Sequence, residues 1–142
     1  MKLSNNFSLE EFTLSQTAER FNIHNVPSIA HMHSLVYTAE QLELVRTLLS
    51  SPILISSGYR CRLLNKLVGG SPSSQHTLGE AVDFTSPSYG TPKEIVKAIV
   101  ASEIAYDQVI LEFGKWVHIS FVQGTNRKQA LVIDSIGTRI FS

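Results

Sequence analysis

Ser74-Gln75-His76-Thr77-Leu78-Gly79-Glu80-Ala81-Val82-Asp83 sets a histidine in a polar loop and, seven residues later, an aspartate inside an apolar run. Ala81, Val82 and Phe84 surround the aspartate with strand-compatible side chains, so its carboxylate is expected inside the protein. A buried carboxylate has to be hydrogen-bonded, paired or metal-bound, because burying the charge alone is expensive. Gly79 lets the loop turn back, which brings His76 toward Asp83. A loop histidine that merely caps an aspartate would leave the same pattern, so the pair alone does not define a function.

Further along, Trp116-Val117-His118-Ile119-Ser120-Phe121 alternates in character. In a strand, Val117, Ile119 and Phe121 share one face, and Trp116, His118 and Ser120 share the other. The apolar trio is expected to face the core, which projects His118 from the opposite face beside an aromatic ring and a hydroxyl. An ordinary surface histidine fits that position too. Together, His76, Asp83 and His118 supply two imidazoles and one carboxylate. That set suits Zn²⁺ in a catalytic site, where three protein ligands leave the fourth position for water. Such water has a pKa of about 7, and a second carboxylate is then needed to take and return protons.

The rest of the chain reads as a frame for these segments. Ser8-Leu9-Glu10-Glu11 is a capping box opening a short helical region that ends before Asn25-Val26-Pro27. Ser28 caps a longer helix. Its apolar residues Ile29, Met32, Leu35, Val36, Ala39, Leu42, Val45 and Leu49 recur at helical spacing, and Pro52 stops it. Residues 53–57 read as a short buried strand, 61–68 as helical, 71–79 as a polar loop and 81–84 as a strand. Thr91-Pro92-Lys93-Glu94 opens a helix running to about Ser102. Strands are expected at 107–113, 116–122 and 130–134. Helices come mostly first and strands later, which favours an α+β fold over an alternating parallel sheet.

Composition narrows the functional classes. A chain of 142 residues is too short for two ordinary domains, so a single domain over 1–142 is expected. An apolar share of 43% with 17% charged residues excludes a disordered tail, a collagen repeat and a coiled coil. Twelve basic residues balance twelve acidic ones, leaving no basic block for a phosphate backbone or an anionic membrane. Neither nucleic acid nor a membrane is expected as a partner. Cys61 is the one cysteine and makes no internal disulfide. No run approaches the ~18 apolar residues of a membrane span. Met1-Lys2-Leu3-Ser4-Asn5-Asn6 lacks the apolar run of a secretory signal. The chain is therefore expected to be made in the cytoplasm, with any export left to another machine or to lysis.

Three ordered motifs carry a resemblance. Ser57-Gly58-Tyr59-Arg60, then Ser74-x-His76-x-x-Gly79-x-Ala81-x-Asp83, then Trp116-Val117-His118-Ile119-Ser120 resembles the zinc peptidases of family M15. These include D-alanyl-D-alanine carboxypeptidases, vancomycin-resistance dipeptidases and the L-alanyl-D-glutamate endopeptidases of phage endolysins. The segment 12–27 is also similar to phage and prophage members. The resemblance implies a hedgehog/DD-peptidase-like α+β fold, an antiparallel sheet with helices packed on one side. It places the Zn²⁺ ligands on His76, Asp83 and His118, a substrate-orienting or transition-state arginine on Arg60, and a substrate-binding serine on Ser74. It implies hydrolysis of peptidoglycan stem peptides at the cell wall after release or export, with a phage or prophage lysis role. Hedgehog domains carry zinc on this fold without turnover, so a non-catalytic zinc-containing binding module is the alternative.

One position departs from the family pattern. Many relatives carry the general base three residues before the last histidine, where this chain has Lys115, which cannot accept a proton at pH 7. Glu112, six residues before His118, matches the interval of the related hedgehog domains. A three-residue loop between Phe113 and Val117 would set Glu112 directly opposite His118, with Cβ atoms about 5 Å apart. A two-residue Gly114-Lys115 turn would instead turn Glu112 into the core. Three-residue loops usually place glycine last, whereas Gly114 comes first, and Asp107 is the reserve candidate. His31 and His33 lie on different helix faces and cannot chelate together. Glu80 is expected in solvent, Tyr59 as a cleft wall or a packing residue, and Asn65 as an organiser of the loop after Tyr59.

Overall fold

Side-chain caps start four of the five α-helices of the computed structural model, which describes residues 1–142. Ser8 and Glu11 form the expected capping box of α1 (Leu9–Thr13), and Ser15 caps α2 (Gln16–Arg20). The region read as one helical stretch is thus two short helices, broken where Ser15 takes the N–H of Ala18. Ser28 caps α3 (Ile29–Leu49), whose fully buried residues begin at Leu35 and continue through Ala39, Leu42 and Val45. Ile29 is 81% exposed, so the first turn of α3 overhangs the core rather than joining it.

β1 (Leu54–Ser57), α4 (Arg62–Leu67), a 3₁₀ turn (Gln75–Leu78) and β2 (Ala81–Thr85) follow. Then come α5 (Pro92–Ala101), capped by the Thr91–Glu94 box, β3 (Gln108–Glu112), β4 (Trp116–Ser120), β5 (Gln129–Asp134) and β6 (Gly137–Ile140). The six strands form one sheet in the order β1-β2-β4-β3-β5-β6. All neighbours are antiparallel except β3 and β5. The parallel pair departs from the expected antiparallel sheet, because the chain leaving β4 crosses to the free side of β3 instead of turning back on β4. The fold is α+β. β1 is an edge strand with Leu54 half exposed, not the buried strand that its apolar composition suggests. β6 was not anticipated: all four of its residues are exposed, so no buried face imposes an alternating pattern.

Alternation along the central strands separates two functions. Val82 and Phe84, Val109 and Leu111, and Val117 and Ile119 join Phe12, residues of α3 and residues of α5 in one apolar core. Each such side chain, when fully buried, contributes about 1.5–3 kcal/mol. The opposite face carries Asp83, Ile110, Glu112, Trp116 and His118. Cross-strand pairing sets Ser57 beside Asp83, Asp83 beside His118 and His118 beside Ile110, a single row across four strands. The core therefore holds the polar row in register from behind.

Candidate active site

Asp83 and His118 are direct cross-strand partners, and His118 Nδ1 lies 2.9 Å from Asp83 Oδ1. His76 reaches the same oxygen from the 3₁₀ turn, with Nε2 at 3.2 Å. The turn is held on three sides. Ser74 Oγ accepts the His76 N–H, Thr38 of α3 donates to the Gly79 carbonyl at 2.8 Å, and Gly79 closes the turn at φ +75°. All three candidate ligands are buried, and their ligand atoms lie within 4.8 Å of one another.

The hydrogen bonding around His76 tests whether a metal fits. Its Nδ1 donates to the Gly58 carbonyl at 2.7 Å, since a carbonyl can only accept. A neutral His76 then has no proton left on Nε2, so a lone pair faces the lone pairs of Asp83 Oδ1. A cation between them removes that conflict. Committing the second ring N–H to a carbonyl is also how proteins orient metal-bound histidines. The donor set fits a metal ion. Burial would raise the Asp83 carboxyl, but the hydrogen bond from His118 and the pull of the two neighbouring imidazoles outweigh it and hold the group below its usual range.

Two charged side chains flank this cluster. Glu112 Oε1 lies 3.8 Å from His118 Nδ1. Burial raises the Glu112 carboxyl, the charge of Asp83 raises it further, and His118 and Arg60 work against both. The register that places it differs from both sequence expectations. Glu112 pairs with Trp116, and Phe113, Gly114 and Lys115 form the loop between strands. Phe113 and Gly114 both take positive φ, 54° and 64°, and Lys115 N–H donates to the Glu112 carbonyl. Glycine thus sits at the centre of a tight turn. Glu112 keeps the face of His118 but stands diagonal to it, with Ile110 directly opposite.

Arg60 Nη2 is 3.6 Å from Asp83 Oδ2. Its Nε donates to Ser57 Oγ and its Nη1 to Asn65 Oδ1, both at 3.2 Å. Asn65, buried in α4, also donates to the Ser71 carbonyl at 2.8 Å, which closes the loop after the helix. Asn25 is a second clamp that the sequence did not reveal. Its amide donates to the Thr13 and Tyr59 carbonyls and accepts the Cys61 N–H, fixing the backbone on both sides of Arg60. Burial lowers the Arg60 pKa against the pull of Asp83 and Glu112, and a guanidinium remains protonated.

These groups line an open cleft of about 820 Å³ that also contains Ser74, Trp116 and Arg127. Asp107, the reserve candidate, is engaged elsewhere. Its carboxylate accepts from Arg127 at 2.6 Å and from Gln75 at 3.0 Å, so it fastens the 3₁₀ turn to β3 and does not face His118. Glu80 is half buried rather than solvated and accepts from Gln75 at 3.3 Å.

No helix is long and apolar enough to cross a membrane. A comparison with curated proteins finds no match for the chain. A comparison with protein families matches Peptidase M15 over residues 5–120. The matched span opens before α1, ends with β4 and contains every residue of the metal cluster together with Arg60 and Glu112; the chain belongs to peptidase family M15.

Proposed function

We propose that the protein is a zinc-dependent metallopeptidase that hydrolyses peptide bonds in peptidoglycan stem peptides. The observation that carries the reading is the approach of His76 Nε2 and His118 Nδ1 to one buried oxygen of Asp83, in a chain of the M15 family. His76, Asp83 and His118 would hold the zinc, which when bound polarises a scissile carbonyl and lowers the pKa of water to about 7. The Glu112 carboxylate accepts no hydrogen bond from the protein and has a raised pKa, properties of a group that takes a proton from water at Oε1 and returns it to the leaving amine. Arg60, held by Ser57 and Asn65, offers a planar fork to a carboxylate or a developing oxyanion. Ser74 spends its acceptor on His76 N–H and keeps its own O–H to donate to substrate. The substrate class is supported by the resemblance of the three ordered motifs. On this reading the chain is made in the cytoplasm and reaches the wall after release or export, in keeping with a phage or prophage lysis role.

The experiment is digestion of purified peptidoglycan, with mass spectrometry of the released fragments and zinc content measured alongside. The zinc-loaded protein is expected to carry about one Zn²⁺ per chain and to release new amino termini. Chelation should stop release and zinc should restore it. His118→Ala should lose the metal. A zinc-loaded wild type that releases nothing would replace this reading with a binding module on the same fold.

A further inference from the structure

We propose that a second pocket beside the catalytic cleft is a substrate subsite for a carboxylate carried by the peptide away from the scissile bond, an inference that rests on the peptidase reading. The pocket, about 700 Å³, is lined by His31, Tyr59, Arg62, Lys66 and Thr77 among others. It shares Gly69 and Gly70 with the catalytic cleft, so a bound peptide passes from one to the other over a single backbone ridge.

The charge arrangement points to an anion. Arg62 and Lys66 stand four residues apart on α4, on one helix face. Both are exposed, and neither takes part in an ion pair. The pocket lining contains no carboxylate. Three other arginines are paired: Arg60 faces Asp83, Arg127 binds Asp107 and Arg139 binds Asp134. Two uncompensated cations on a concave wall raise the local potential and attract an anion. Tyr59 and Leu78 supply apolar wall, and the His31 ring leans on Tyr59 at 5.5 Å with no hydrogen bond at Nδ1 to commit it to the scaffold. Unmodified peptides carry their negative charge as carboxylates, and the arginine fork matches that group.

The test uses three synthetic stem pentapeptides: one with free carboxylates, one amidated at the glutamyl α-carboxylate and one amidated at the C-terminus. With zinc-loaded wild type, one of the amides should lose about 10-fold in kcat/KM, the order expected for a charged hydrogen bond in an open site. In the Arg62→Gln/Lys66→Gln double variant that acid-to-amide ratio should fall to near one, with Tm held, since both side chains are unpaired. Equal rates on all three peptides, or a double variant that keeps the wild-type ratios, overturn the subsite and leave the peptidase reading standing. If the wild type cuts none of the three, the peptidase reading fails on these substrates, and binding followed by amide NMR shifts decides the subsite. Preference for the free acid that the double variant loses supports it; equal binding, or none, overturns it.

Discussion

Asp107 stands one residue before β3 and Glu112 closes that strand. Asp107 is filled with donors: Arg127 through its backbone N–H, Nε and Nη2, and Gln75 through its amide. Glu112 has only the distant approach of His118 and the neighbouring charge of Asp83. The Arg127 hydrogen bonds dominate at Asp107 and lower its pKa; burial dominates at Glu112 and raises it. An acid already supplied with donors is spent on holding β3, the 3₁₀ turn and the chain at Arg127 together. An acid left short of donors, beside a metal-ligand cluster, is free to exchange a proton. Both are carboxylates at the ends of one strand, and their partners decide the role.

The largest expected effect tests this contrast directly. Glu112→Gln should keep the metal and the fold while lowering kcat by about 10²–10⁴-fold, the usual contribution of general acid–base catalysis. Asp107→Asn should lower it less than about 10-fold, within what displacement of a supporting contact produces. Metal analysis and steady-state kinetics on both variants check the ordering. A reversal would break the contrast and return the proton-transfer role to Asp107.

A second effect sharpens the notion of being held against being free, at Arg60. A Cβ on Gly70 would fall on Oδ1 of Asn65 and lie 3.1 Å from Arg60 Nη1. Gly70 is therefore glycine because the Asn65–Arg60 pair occupies its side-chain space. Gly70→Ala should keep zinc yet lower kcat/KM by about 10–10²-fold, since an ångström of misplacement at a reacting centre carries that weight. Undiminished kinetics in Gly70→Ala would show that Asn65 does not position the guanidinium.

The local signals in the sequence located most of this architecture because they were short-range. Two capping boxes, the α3 stripe and the alternation at Trp116–Ser120 each depend on residues within a few positions, and each opened the expected element, although the stretch after Ser8 splits into two helices and the stripe read from Ile29 is fully buried only from Leu35. The same alternation placed His118 on the face opposite Val117 and Ile119, and the spacing of His76 and Asp83 fitted a turn closed by Gly79. Long-range pairing was invisible. Nothing local announces that β5 lies parallel to β3, or that Glu112 pairs with Trp116 when Phe113 adopts a positive φ uncommon for an aromatic residue. Asn25 read as an ordinary loop residue, and Asn65 as an organiser of the loop after Tyr59 with no sign of its bond to Arg60, because those roles lie in carbonyls and a guanidinium that only the folded chain brings near.

The smallest expected effect is on stability. The Asp107 side chain is 4% exposed, but its partner Arg127 has a side chain 56% exposed, so solvent screens the pair and discounts its Coulombic energy. Losing the charge in Asp107→Asn leaves Arg127 able to turn to water and should cost about 1–2 kcal/mol, or about 3–8 °C in Tm for a domain of this size. The pH dependence carries a definite sign. The folded pKa is lowered, so the stabilisation is complete above the unfolded value of about 3.9 and is lost as pH falls through the folded value below it. The Tm gap between wild type and Asp107→Asn should be widest between about pH 5 and pH 7 and should narrow below about pH 4. Other carboxyls, Asp134 among them, titrate in both proteins, so the gap rather than either Tm isolates Asp107. Thermal unfolding of metal-free protein across that range measures it. A gap that stayed constant down to pH 3 would assign the loss to shape or hydrogen bonding rather than charge, and Asp107 would then differ from Glu112 in its contacts alone.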